Sequence, residues 1–402
     1  MSILLLSTTG HPEANLESAR YFLENKSDIE KITILSTDFM MQSGKTELLM
    51  QSLKEIFNKE IEILDLPSGH EEHDMFGIEN LLLEWAQSQP AKARFIFNVT
   101  GGTKLMSIAL DRTAMLLGPS RAECFYQSRD QHLVWYQRKN NKTIYSMNSN
   151  LNLQQRIFAR GYQITKQQPL TEIAIEQLRY AEIMIDIMKN DFHKGRRFCS
   201  FINKLAAISD DKEMLSLFYP QMQQEEAEGL AILADITQQA FFSFDKIENK
   251  ITFNDENSRD FMKGGWLEVY AGYECYKALI HLAPTAELAI NVELKKKDTP
   301  NEMDVMFIHH AYLYCIECKT AKTMASETAK DVLYKLSALQ DFGGINQKRA
   351  VVSLYNLKDY NLTRAENADI KIFQEKELLN LSEHILQWIH STHTEKKPVI
   401  SL

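Results

Sequence analysis

Between residues 1 and about 145 the chain repeats one pattern: a short apolar run, then a segment with apolar residues at helical spacing. The runs are residues 3–6, 32–35, 61–64 and 94–99. They are short and rich in Ile, Leu, Phe and Val, as strands are. The first intervening segment carries Leu16, Ala19, Phe22 and Leu23 on one side, the spacing of a helix face. Strands separated by helices pair in parallel through right-handed crossovers. The expected fold class is therefore α/β, opening with a Rossmann-like parallel sheet. Ligands bind such sheets beyond the carboxyl ends of the strands.

Those strand ends share a chemistry. Thr8, Thr9 and Gly10 follow the first run, and Ser36 and Thr37 follow the second. The fourth ends in Asn98, then Val99, Thr100, Gly101, Gly102, Thr103 and Lys104. Paired glycines let a backbone approach a ligand closely, and a helix start presents N–H groups to an anion. Alone, this last string reads rather as a glycine-containing turn capped by threonine. Three hydroxyl-rich ends side by side make a shelf suited to phosphate. The candidate ligand-binding residues are Thr8, Thr9, Gly10, Ser36, Thr37, Asn98, Thr100, Gly101, Gly102, Thr103 and Lys104. The string Ser43, Gly44, Lys45, Thr46 ends like a nucleotide-binding loop, but Phe39 stands where such a loop needs glycine. ATP binding there is not expected. His70 and His73 lack the spacing of a zinc-protease helix and read as loop residues.

Residues 148–257 read as a mostly helical connector, with helix-periodic stretches at 173–188, 197–208 and 225–240 and a hairpin at 244–253. Winged-helix geometry is one option for it. From residue 258 the pattern becomes helix, three strands (288–294, 303–309, 312–318), a long helix over 326–341 stopped by Gly343 and Gly344, and a strand at 349–354. The expected domains are 1–147, 148–257 and 258–402, the last α/β again.

The C-terminal region holds the reactive constellation. Glu268 falls on its first helix, Asp304 on a strand, and Glu317, Cys318 and Lys319 on the next strand. Residues two apart on a strand share a face, so Glu317 and Lys319 project together. If the strands are neighbours, Asp304 joins them. Carboxylates gathered on one face call for a cation, and Mg2+ or Mn2+ takes such oxygen ligands. The candidate metal ligands are Asp304, Glu317, the carbonyl of Cys318, and Glu268 directly or through water. Lys319 would position or deprotonate a water, or stabilise developing charge. Glu268, Asp304, Glu317 and Lys319 are the candidate catalytic residues for phosphodiester hydrolysis. Glu302 is an alternative carboxylate on the side of Asp304. Lys335 could face the same cleft, although a solvated helix position accounts for it equally well.

A net charge of -9 over 402 residues argues against tight, nonspecific binding of duplex DNA, and leaves room for a local basic groove. Five irregularly spaced cysteines point to reduced thiols in a cytoplasm. No apolar stretch reaches membrane-spanning length, and the N-terminus lacks a secretion signal. The expected location is cytoplasmic, with no membrane partner.

The order helix-Glu, strand-Asp, strand-ExK, helix over residues 260–355 resembles the PD-(D/E)xK restriction-endonuclease-like nucleases. It departs from them in having Met303, not Pro, before Asp304. Residues 1–145, with the string from Asn98 to Met106, resemble the CARF sensor domain of CRISPR-associated effectors. Together they look like the ancillary nucleases of type III CRISPR antiviral defence. The resemblance implies a homodimer activated by a cyclic oligoadenylate, with cyclic tetra-adenylate the expected ring, that cleaves DNA, RNA or both. Two rival readings remain at this point. One is a ligand-sensing regulator that binds nucleic acid through the middle region and has an inactive C-terminal domain. The other is a ring nuclease that degrades its own cyclic ligand.

Overall fold

The computed structural model describes residues 1–25, 28–57, 60–65, 74–128, 132–137, 141–146, 151–283, 287–310, 312–325 and 329–394. The chain forms two compact units. The first is Met1–Gln163 with Asp341–Ile345, and the second is Ile164–Gln340 with Asn346–Leu402.

The first unit is built on seven strands: β1 (Ser2–Ser7), β2 (Ile29–Ser36), β3 (Glu60–Asp65), β4 (Arg94–Asn98), β5 (Ala122–Gln127), β6 (His132–Gln137) and β7 (Asn141–Ser146). Their order across the sheet is β3-β2-β1-β4-β5-β6-β7. The helices are α1 (Glu13–Asn25), α2 (Asp38–Gln42), α3 (Lys45–Ile56), α4 (Met75–Ser88), α5 (Lys104–Leu117) and α6 (Leu153–Phe158). The strands from β1 to β5 pair in parallel, as the alternation predicts. Successive residues of β1 point to opposite faces. Ile3 and Leu5 enter a core with Leu82 of α4 and Leu110 of α5, while Leu4 and Leu6 enter one with Leu16 and Phe22 of α1 and Leu53 of α3. Burial on both faces explains why the run is continuously apolar. Beyond β5 the sheet adds two strands that the alternation does not announce. β6 runs antiparallel to both β5 and β7, because the connections there are too short for a crossover.

The second unit contains, in chain order, β8 (Gln163–Pro169), α7 (Ile175–Asn190), α8 (Phe192–Asp211), β9 (Ser216–Phe218), α9 (Gln224–Ile236), β10 (Phe242–Asp245), β11 (Lys250–Phe253), α10 (Glu256–Asp260), α11 (Trp266–Ile280), β12 (Leu288–Lys296), β13 (Thr299–His309), β14 (Tyr312–Lys319), α12 (Ala329–Ala338), α13 (Gln340–Gly343), β15 (Gln347–Ser353), α14 (Asp359–Asn367), β16 (Ile370–Gln374) and α15 (Leu381–Thr394). β10, β11 and β9 form a small sheet, and β16-β15-β14-β13-β12-β8 form a large one. The middle helices share a core with the large sheet: Tyr180, Met184 and Leu205 belong to one cluster with Trp266, Phe307 and Tyr314. α9, the third helix of the middle region, carries Glu225, Glu226, Glu228 and Asp235 and no Lys or Arg. The single long helix expected over 326–341 is instead α12 followed by the short α13. The break falls at Leu339; α13 ends before Gly344, whose φ of +69° is left-handed and which opens a short 3-10 turn, Gly344–Asn346. Among the described residues no helix is long and apolar enough to cross a membrane.

Candidate functional site

Asp304, Glu317 and Lys319 meet on one face of the large sheet. β13 and β14 are antiparallel with Val305 opposite Ile316, a register that carries Asp304 level with Glu317. Lys319 Nζ lies 2.7 Å from Glu317 Oε1 and 3.9 Å from Asp304 Oδ2. Asp304 is 7% exposed and Glu317 3%. The backbone N–H of Cys318 donates to Asp304 Oδ2 at 2.5 Å, fixing that carboxylate against β14.

Glu268 joins from α11. The helix is entered through a wide π-helical turn, Phe261–Gly265, in which a Cβ at Gly264 would lie 3.1 Å from Thr320 Oγ1. Lacking a side chain, Gly264 can pack against the chain just past Lys319. Burial first, then Lys319 pulling it down and the charges of Glu302 and Glu317 pushing it up, leave the Glu268 carboxyl raised to about 7. Burial, joined by the charges of Glu317 and Glu268, holds Asp304 well above the usual carboxylate range. Burial works against the Lys319 ammonium, but Asp304 and Glu317 outweigh it and hold the group above the ordinary lysine range. Lys319 is thus a cation here, suited to stabilising charge rather than to taking a proton. Glu302 is exposed on β13 and reaches the site through its charge on Glu268.

Lys335, which the sequence left open, is part of this cluster. From α12 its Nζ reaches both oxygens of Glu317, at 3.0 Å each. Among the described residues no three Asp, Glu, His or Cys side chains converge as a ready-made metal cage. The donor set nevertheless suits a hard divalent cation: two buried carboxylates, with Glu268 within electrostatic reach, balanced by lysine ammonium groups. The Cys318 thiol is not a donor of that kind, since burial first and the neighbouring carboxylates next keep it protonated. All five cysteines are buried and lie outside any disulfide.

The first unit places the strand-end residues together at its topological switch point, where the crossovers from β1 and from β4 run to opposite sides. A Cβ on Gly101 would come 2.8 Å from the carbonyl oxygen of Ser7, so only glycine permits this approach of the β4–α5 turn to the end of β1. Gly102 has a φ of +77°. Thr103 caps α5, its Oγ1 accepting from the Met106 N–H at 3.2 Å, and Lys104 is exposed on the first turn. Thr9 is half-buried and Gly10 exposed. Thr8, Ser36 and Thr37 are buried; Thr37 caps α2, accepting from the Met40 N–H. Asn98 lies beneath the shelf rather than on it. It is fully buried, donates to Asn15 and Ser18 of α1, and accepts from the Thr100 N–H at 2.9 Å. Thr100 Oγ1 accepts from the Gln127 N–H at 2.7 Å. Both residues hold the turn in shape.

The string set aside as a failed nucleotide loop lands here too. Thr46 Oγ1 is 2.5 Å from Ser36 Oγ and 3.4 Å from Thr8 Oγ1, and Lys45 Nζ would be 3.8 Å from a Cβ on Gly10. The N-cap of α3 is Gly44, which offers no side-chain cap, so this helix start adds N–H groups and a cation to the shelf. The sequence signal for this is the Lys45-Thr46 pair at a helix start beside two hydroxyl-rich strand ends. His70 and His73 lie outside the described residues.

Two domain families match the chain. The Card1 CARF domain matches residues 11–155, and the Card1-like endonuclease domain matches residues 255–392. Among solved structures, protein VC1899 from Vibrio cholerae has a TM-score of 0.81 and 19% identity, over 97% of this chain and 98% of that one. Can2 from Sulfobacillus thermosulfidooxidans, solved with cyclic tetra-adenylate, has a TM-score of 0.75 and 19% identity, over 97% and 99%. A type III CRISPR defence DNA nuclease activated by cyclic oligoadenylate has a TM-score of 0.52 and 16% identity, over 87% of this chain and 45% of that one. At these identities the likeness is one of fold. No curated protein matches the sequence.

Proposed function

The chain belongs to the CARF-domain nucleases of type III CRISPR systems, pairing a Card1-type CARF domain with a Card1-like endonuclease domain, and on that premise we propose a metal-dependent endonuclease switched on by a cyclic oligoadenylate. The observation that carries the reading is the placement of Asp304, Glu317 and Lys319 on one sheet face, with two buried carboxylates held by lysines and a backbone N–H.

In this reading Asp304, Glu317 and the Cys318 carbonyl hold Mg2+ or Mn2+, and Glu268 supports it directly or through water. The cation, when bound, supplies Lewis acidity and a water that deprotonates near neutral pH. Lys319 stays protonated and offsets the charge that builds on the phosphate oxygens. Lys335 orients Glu317 and adds a second positive charge for a phosphate backbone.

The activator is a cyclic oligoadenylate on the strand-end shelf. Cyclic tetra-adenylate is the first ring to test, because Can2 was solved with it. A ring presented to two identical shelves favours a two-fold homodimer. DNA is the first substrate to test, given the nuclease with which this fold is shared. The regulator reading is weaker, because an α9 bearing only carboxylates would be repelled by phosphate. Degradation of the cyclic ligand at the shelf remains a separate activity to assay.

The test is direct. Labelled single- and double-stranded DNA and RNA are incubated with the protein, with and without cyclic tetra-adenylate and Mn2+. Cleavage that needs both additions supports the reading; equal cleavage without activator removes the gating, and cleavage in EDTA removes the metal.

A further inference from the structure

Residues Asp341–Ile345 belong by their contacts to the first unit, although the chain on either side of them belongs to the second. This strap is firmly seated. Phe342 is 0% exposed and meets Tyr162 edge-on, with ring centroids 5.9 Å apart. Gly344 is buried, and a Cβ there would overlap the Arg160 guanidinium and lie 2.8 Å from Glu13 Oε1. The backbone of the strap therefore rests directly on Arg160, with no slack between them.

The same guanidinium holds the first loop of the shelf. Arg160 Nη1 donates to the Gly10 carbonyl at 3.1 Å, Nη2 is 3.0 Å from His11 Nδ1, and Nη2 and Nε bind the Glu13 carboxylate. On either side of the strap the chain leads to Glu317. Upstream is α12, whose Lys335 grips both Glu317 oxygens. Downstream is β15, whose Val351 is the partner of Glu317 across the parallel pairing with β14.

We propose that Arg160 is a positioning residue that couples the ligand shelf, through the Phe342–Gly344 strap, to the carboxylate Glu317 of the nuclease site. A ligand that engages Gly10 and His11 competes for the bonds they make with Arg160. Any shift of the guanidinium displaces the strap, because Gly344 leaves it no room to move alone. The strap is continuous with both elements that set Glu317, so the displacement biases the Lys335–Glu317 pair. Coupling between two sites is reciprocal, so Mn2+ at the carboxylates should also change affinity for the ring.

This inference rests on activation by a cyclic oligoadenylate as proposed above. The test uses the full chain, with Gly-Ser-Gly-Ser inserted after Leu339, which leaves the seating of the strap and the side chains of both sites unaltered. Binding of labelled cyclic tetra-adenylate should stay within about threefold of the unmodified protein, and basal cleavage should be unchanged. Cleavage at saturating activator should fall at least about tenfold, and the effect of Mn2+ on ring affinity should vanish, in line with couplings on the order of 5- to 150-fold. Full activation of a folded insertion variant overturns the proposal. If that variant does not fold, Arg160→Gln decides: its saturated cleavage should also fall at least about tenfold, with partial rescue in Arg160→Lys, and wild-type cleavage at saturation overturns the coupling. If the unmodified protein is not activated by the ring at all, the functional reading fails instead.

Discussion

Lys335 holds Glu317 by both carboxylate oxygens, at 3.0 Å each, while Lys319 takes Oε1 at 2.7 Å. Two cations thus share one carboxylate that is 3% exposed. Burying a charge is tolerated only with such partners. A divalent cation at Glu317 must therefore displace at least part of this ammonium contact.

Replacing Lys335 removes a competitor for Glu317 and also a positive charge beside the proposed phosphate path. Lys335→Ala should lower activated cleavage at least about tenfold, a loss of about 1.4 kcal/mol or more in the barrier. Mn2+ should bind more tightly in calorimetric titration. Weaker Mn2+ binding would assign Lys335 to building the metal site instead.

Asp304 sits in an environment that disfavours its charge, with burial first and Glu317 and Glu268 next. Asp304→Asn keeps an acceptor for the Cys318 N–H and relieves that repulsion. Cleavage should fall below detection, while the metal-free protein melts at a higher temperature, with a gain of about 1 kcal/mol. A lower melting temperature would mean that the carboxylate is structural.

Glu268, pushed up to about 7 from an ordinary 4.5, links stability to pH. Its raised folded-state value means that its contribution is fully present below the unfolded value and is lost as pH rises through 7. Without metal, the melting temperature of Glu268→Gln should therefore gain on that of the unmodified protein between pH 5 and 8, by at most about 3 kcal/mol in stability. Mn2+ should narrow the gap by favouring the ionised form. A difference that does not change with pH would remove Glu268 from the cluster.

The shelf predicts a cation requirement that includes Lys45 as well as Lys104. Each Lys→Ala variant should weaken binding of labelled cyclic tetra-adenylate by about 0.5–2 kcal/mol, and Thr46→Val should do so as well. Gly101→Ala should abolish binding, because its Cβ would press on the Ser7 carbonyl at 2.8 Å. Unchanged affinity in both lysine variants would reduce the shelf to a set of capped turns.

The sequence by itself determined what depends on local period and residue type. Both-face burial of the first sheet was legible in continuous runs such as residues 3–6, and the pairing of Glu317 with Lys319 in the two-residue repeat of a strand. Thr103 announced its cap in the same way. The antiparallel β6 and β7 were missed, because strand direction is set by partners and connection lengths rather than by the residues within a run.

Only the tertiary structure decided which distant groups share one space. Lys335 reads as either a cleft residue or a solvated helix position until α12 is packed beside β14. Lys45 and Thr46 read as an incomplete motif until α3 begins next to Thr8 and Ser36. Asn98 reads as a ligand contact until its amide is taken by Asn15 and Ser18. Gly343 and Gly344 read as a helix stop, yet Gly344 also seats a strap on Arg160. In each case the deciding quantity is a distance or a burial between residues far apart in the chain. Such contacts are fixed by packing and by the matching of charges and hydrogen bonds, which no local pattern encodes.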